Sequence, residues 1–126
     1  VICFIDPDKE PTKHLMNEFP TLKSELDKWR GRFLFVVPGS KNSSSFNPEK
    51  YKGLPGRSDF VTKDSETLLK SFVNSSKITF KEDYPLIFIV NEKGEIIFHS
   101  QGYKIGTTEY LHKSLMAEYS YICNQN

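Results

Sequence analysis

Two hydrophobic patterns share this chain: short unbroken apolar runs, and longer stretches in which apolar residues recur every three or four positions. The runs Val1-Ile2-Cys3-Phe4-Ile5, Phe33-Leu34-Phe35-Val36-Val37 and Leu86-Ile87-Phe88-Ile89-Val90 are rich in branched and aromatic residues. Each predicts a strand buried on both faces. Between the first two, Leu15, Met16, Phe19, Leu22, Leu26 and Trp29 keep helical spacing, so a helix with one apolar face is expected over residues 12–29, opened by Glu10-Pro11-Thr12. Pro20 lies inside it and should kink or divide it, because proline removes one backbone bond and crowds the preceding turn. Gly31 is the expected stop. Strand, helix and strand make a βαβ unit with parallel strands and a right-handed crossover.

Beyond Pro38-Gly39 the chain turns polar through residues 40–45 and reads as a loop. Asn47-Pro48 suits the start of a short helix reaching Lys52, with Asn as cap and Pro at the first helical position. Residues 58–62 fit a brief edge strand. Residues 65–74 fit a helix burying Leu68, Leu69, Phe72 and Val73, and residues 75–83 form a polar connection. Pro85 cannot donate to a ladder and so belongs at a strand's first residue, and Tyr84-Pro85 in a tight turn is a natural place for a cis peptide. Asn91-Glu92-Lys93-Gly94 supplies a tight reversal, so Glu95-Ile96-Ile97-Phe98-His99 should return antiparallel. After Gly102-Tyr103-Lys104-Ile105-Gly106, a closing helix starts at Thr107/Thr108 and buries Tyr110, Leu111, Leu115, Tyr119 and Ile122. The order β-α-β-(α)-(β)-α-β-β-α predicts an α/β protein with a mixed sheet, helices on both faces, and runs 1–5 and 86–90 at its centre.

Composition narrows the partners. The 126 residues, 37% hydrophobic with ten Phe, suffice for one domain with one ordinary core. Lys+Arg 17 against Asp+Glu 16 gives net +1, which provides no electrostatic basis for nucleic acid or an acidic membrane as partner. No run has the length of a membrane span, and the opening residues have no n-region, h-region or cleavage site. The chain begins inside a strand-like run without Met, as a domain taken from a longer protein would. Cys3 and Cys123 lie at opposite ends with no CxxC or metal-like spacing, and buried thiols are expected rather than a disulfide between them.

The arrangement, with Tyr84-Pro85 opening a core strand, Val90-Asn91-Glu92-Lys93-Gly94-Glu95-Ile96 at the reversal and Gly102-Tyr103 beyond it, resembles the thioredoxin fold over nearly the whole chain. Within that superfamily it is most similar to the extracytoplasmic disulfide-reductase and peroxiredoxin-like branch. The resemblance implies a three-layer α/β/α sandwich with a mixed four- to five-stranded sheet, and Pro85 as the family's cis-proline. It also implies that Phe19-Pro20 matches the pair following the active site, which places Thr12-Lys13-His14-Leu15 where active members carry Cys-x-x-Cys. Neither cysteine is there. Disulfide exchange needs an accessible thiolate, activated at a helix N-terminus, and Thr12 can cap a helix but cannot do that chemistry. The expectation is a retained groove of Thr12, Lys13, His14, Leu15, Tyr84 and Pro85, with no catalytic residue and no cofactor. The strings Asp6-Pro7-Asp8-Lys9-Glu10-Pro11-Thr12-Lys13-His14 and Gly102-Tyr103-Lys104-Ile105-Gly106-Thr107 resemble thioredoxin-like domains fused to transglutaminase-like domains in bacterial surface or periplasmic proteins. That implies an accessory, redox-inactive, extracytoplasmic domain whose partner is the fused domain or a peptide or protein ligand. The alternative is a divergent thiol-disulfide oxidoreductase or peroxiredoxin-like enzyme using Cys3 or Cys123.

Other candidate chemistry is weaker. Asp6, Asp8, Glu10 and His14 gather at one helix entrance, but Pro11 stands where a calcium loop needs Gly and Asn17 where it needs a bidentate acid. The acids there are expected to cap the helix and complement its dipole, each contributing about 0.3–1 kcal/mol, and no metal is expected. His14 has no Cys or Ser beside it to activate; His99 and His112 read as surface residues. Ser43-Ser44-Ser45 has nothing of a nucleophile elbow, and Gly102 and Gly106 match no phosphate-binding fingerprint. Tyr84 either fills the space of the lost dithiol or offers backbone beside Pro85 to an added peptide strand.

Overall fold

A computed structural model describes residues 1–29, 31–38 and 46–125, with side chains as far as residue 117. The predicted 40–45 loop, Ser43-Ser44-Ser45 within it, and the side chains of Tyr119, Ile122 and Cys123 lie outside the described part. The strands are β1 (Ile2–Phe4), β2 (Phe33–Val36), β3 (Ser58–Val61), β4 (Leu86–Val90) and β5 (Ile96–Gln101). They form one open sheet in the order β3-β2-β1-β4-β5. β1 runs parallel to β2 and β2 to β3, whereas β4 is antiparallel to both β1 and β5. The runs expected at the centre are there: Phe4 and Ile5 on one side and Leu86 and Ile87 on the other are fully buried.

Strand alternation sends side chains to two cores. Cys3, Ile5, Phe33, Phe35, Val37, Ile87 and Ile89 meet Leu15, Met16, Phe19 and Leu26 of the first helical segment and Leu111 and Leu115 of the last helix. On the opposite face Phe4, Val36, Leu86 and Phe88 meet Leu69, with Phe72 and Val73 packed against them. The result is three layers, α/β/α, with a five-stranded mixed sheet, the architecture expected of a thioredoxin-like fold.

Pro20 divides the first helical segment into α1 (Glu10–Glu18), a 3-10 turn (Phe19–Leu22) and α2 (Lys23–Leu26). α1 starts ahead of Thr12 because Pro11 occupies its second position, where a backbone N–H would have no helical partner. Its N-cap is Lys9, without a side-chain capping bond. The expected acid caps are therefore absent: Asp6 Oδ1 instead accepts from the Asp8 amide at 3.1 Å, within its own turn. Glu10 does sit in the first turn, where a carboxylate complements the dipole.

Gly31 has a different role from the expected stop. A Cβ there would lie 2.1 Å from the Trp29 ring, which packs edge-on against Phe33 at 5.4 Å. Gly31 thus lets Trp29 fold back over the core. Gly31→Ala must displace that ring and is expected to cost about 1–3 kcal/mol, measurable by urea denaturation with the loss tracked in Trp fluorescence.

The 3-10 turn Pro48–Lys50 is capped as expected by Asn47, whose side chain accepts from Glu49 N–H at 3.0 Å. α3 (Ser65–Ser76) precedes the β4–β5 hairpin. In the turn, Asn91 Oδ1 accepts from the amides of Lys93 and Glu95 at 3.0 and 2.9 Å, and Gly94 takes a φ of 80°. A register irregularity beside Val90 gives β5 one extra residue there and leaves Ile97 exposed at the sheet's edge. Such bulges twist an edge strand away from further pairing.

α4 (Thr107–Gln125) buries Leu111 and Leu115 as expected but leaves Tyr110 65% exposed, its ring against Phe98 at 5.8 Å. Tyr110 falls on the flank of the stripe that Leu111 and Leu115 define. His112 is half-buried, not a surface residue, and its Nε2 is buried with no hydrogen-bond partner. Among the described residues no helix is long and apolar enough to cross a membrane.

Candidate functional site

The sheet topology brings the sequence-predicted site residues to one end. β1 and β2 finish there, β4 begins there, and β5 returns to it. The β1–β4 pairing matches Phe4 with Leu86, so Ile5 and Asp6 leave β1 at the end where Tyr84 and Pro85 lead into β4. The chain leaving β1 therefore passes beside the Tyr84–Pro85 peptide, which is cis. Gly102, just beyond β5, closes the other side, donating its N–H to the carbonyls of Asp83 at 3.1 Å and Pro85 at 2.9 Å. Neighbouring strands in the sheet thus converge on Pro85.

The helix start faces the same end. Thr12 is fully buried, and its Oγ1 accepts the Asp6 N–H at 3.3 Å. It does not cap α1; it ties the chain leaving β1 to the first turn of α1. Leu15, one turn on, is fully buried in the core. Lys13 and His14 between them are exposed. Lys13 pairs with Glu10 at 3.5 Å, both half or more exposed, an interaction that water largely screens. The His14 ring stacks on Tyr103, with centroids 5.6 Å apart and planes at 23°. Tyr103, quoted in the sequence only as part of a turn string, is therefore a site residue that the sequence reading missed.

Tyr84 is half-buried with its ring against Phe80 at 5.3 Å. Burial, with the carboxylates of Glu66, Glu82 and Asp6 adding to it, pushes its phenol up to about 12, so it remains a proton donor through the physiological range. Its backbone N–H already donates to the Glu82 carbonyl at 3.1 Å. A peptide strand adding at this position would find that donor in use.

The described thiol is elsewhere. Cys3 is a free thiol in the central strand, 1% exposed, and burial drives its pKa far above the usual thiol range. It is the inert kind of buried cysteine, not the electropositive, accessible kind. Among the described residues no three His, Cys, Asp or Glu side chains converge to hold a metal ion; Asp6, Asp8, Glu10 and His14 share a helix entrance without forming a ligand set.

A second feature lies beside the start of α1. A cleft of about 470 Å³ opens between the β1–α1 connection, at Pro7, Asp8 and Lys13, and the segment carrying Phe46, Asn47, Lys50 and Tyr51. The Phe46 and Tyr51 rings stack at 5.7 Å, both lie on Phe60 at 5.1 and 5.9 Å, and Phe60 stacks on buried Phe35 at 5.3 Å. Burial raises the Tyr51 phenol, and the nearby Asp8 carboxylate adds to the shift. No protein-family model matches this chain, and neither the curated proteins nor the solved structures contain a match.

Proposed function

We propose that this chain is a thioredoxin-like binding domain that does no thiol–disulfide chemistry. The observation that carries the proposal is the start of α1: the positions corresponding by spacing to the dithiol hold Thr12 and Leu15, both fully buried, while the described thiol, Cys3, is sealed in the central strand. What remains at the strand ends is suited to contact and not to electron transfer: exposed Lys13, exposed His14 stacked on half-buried Tyr103, and half-buried Tyr84. The resemblance of residues 6–14 and 102–107 to transglutaminase-associated domains supports a further reading as the accessory unit of a larger extracytoplasmic bacterial protein.

Timed alkylation tests the proposal. In a Cys123→Ser background, Cys3 should resist iodoacetamide at neutral pH for as long as the protein stays folded, and should react at once in denaturant. The wild-type protein should reduce no insulin disulfide and no peroxide. Thiol-dependent turnover that vanishes on Cys3→Ser or Cys123→Ser would instead establish the oxidoreductase alternative.

A further inference from the structure

The cleft beside α1 has a wall that is built and, among the described residues, left uncovered. Phe46 and Tyr51 are only half-buried, yet both rest on Phe60 and, through it, on the core ring of Phe35. That support gives an aromatic surface a fixed position, the condition under which an aromatic guest loses least on binding. The polar groups around it are mostly donors. Lys13 and Lys50 bring ammonium groups, the Tyr51 hydroxyl is protonated, and Asn47, with its carbonyl oxygen already used by Glu49 N–H, has its NH₂ end to offer. Against them stands the carboxylate of Asp8. The Lys13–Glu10 pair is exposed on both sides and can be exchanged for another carboxylate at little cost. The volume falls within the range of ordinary ligand sites.

We propose that this cleft binds a peptide segment in which a carboxylate side chain neighbours an aromatic one, the acid held by Lys50 and Lys13 and the ring laid on Phe46 and Tyr51. This names a partner class for the binding domain proposed above and rests on that reading. Asp8 opposes the guest's charge, which gives the proposal a sign. The test is a titration of the ¹⁵N-labelled protein with acetyl-Phe-Glu-Phe-amide and with its Gln and Lys counterparts. The Glu peptide should bind best and shift the amides of Lys13, Asn47, Lys50 and Tyr51. Lys50→Gln, an exposed substitution that leaves the fold intact, should weaken it about tenfold, the loss of one charge-assisted hydrogen bond, and Asp8→Asn should tighten it. Equal binding of the Gln peptide, preference for the Lys peptide, weakening by Asp8→Asn, or no binding of any of the three would overturn the proposal. Failure here leaves the alkylation and insulin results unchanged, so the absence of thiol chemistry is judged separately.

Discussion

Phe35→Ala is expected to destabilise the domain by about 3–5 kcal/mol, the usual cost of deleting a large buried aromatic side chain, and so to remove much of the roughly 5–15 kcal/mol a single domain has. Phe35 is fully buried in β2. It meets Phe19 edge-on at 5.7 Å, Phe33 at 6.3 Å and Phe60 at 5.3 Å. Its ring therefore joins the helix layer, the sheet and the wall of the cleft. Phe60→Ala, at a half-buried ring on an edge strand, should cost less in stability while releasing Phe46 and Tyr51 from their support. Guanidinium denaturation of both variants checks the order. A Phe60→Ala loss as large as that of Phe35→Ala would show that the aromatic stack is a second core and not a supported surface.

The same connectivity explains why the site lies where it does. β1 and β4 are neighbours but are reached from opposite directions: the chain leaves β1 through α1 on one face and arrives at β4 from α3 on the other. That change of direction between neighbouring strands is the general setting of sites in open sheets. Here the Thr12 hydroxyl accepts the Asp6 amide, and the Gly102 amide closes the far side onto Pro85. Both give backbone polar groups a hydrogen-bond partner within the fold. The start of α1 is thus filled by the buried side chains of Thr12 and Leu15, with exposed Lys13 and His14 between them.

Elements whose formation depends on nearby residues were legible in the sequence. Leu86–Val90 is apolar throughout because both faces are covered, Asn91 and Gly94 carry the turn's own hydrogen bonds and positive φ, and Pro20 breaks the helix at its own position. Misreadings arise where a distant side chain decides. Gly31 looks like a helix stop until the Trp29 ring is seen to lie against it, and Thr12 looks like a cap until the Asp6 amide is found on its hydroxyl. Tyr110 fits a helical stripe by spacing alone, yet turns toward Phe98 at the sheet's edge. The site divides the same way. Thr12 to Leu15 and Tyr84-Pro85 are visible as strings, but the stacking of His14 on Tyr103, and of Phe46 and Tyr51 on Phe60, joins residues that only the folded sheet brings together.

Alkaline unfolding should be governed largely by Cys3. Its folded-state pKa is raised above the unfolded value because the thiolate would have to form in a fully buried strand. For a group raised in this way, the stabilisation is complete below the unfolded pKa and is lost as pH climbs toward the folded one. The unfolded chain releases the thiol proton from about pH 8.5–9 upward while the folded chain keeps it. Stability should then fall by about 1.4 kcal/mol per pH unit above that point, roughly 3 kcal/mol by pH 11. Tyr84 is raised to about 12 mainly by burial, so it adds a loss in the same direction beginning near pH 10, reduced by its partial exposure to water. The measurement is the urea midpoint between pH 7 and pH 11 for Cys3→Ala against its parent, both carrying Cys123→Ser. Cys3→Ala leaves a small cavity and lowers stability at pH 7, but its stability should decline more gently with pH, so the two curves converge or cross as the pH rises. Parallel curves would mean that the thiol ionises in the folded protein as readily as in the unfolded chain. Cys3 would then be reachable by water and by disulfides, and the domain would regain a candidate for the chemistry that its helix start lacks.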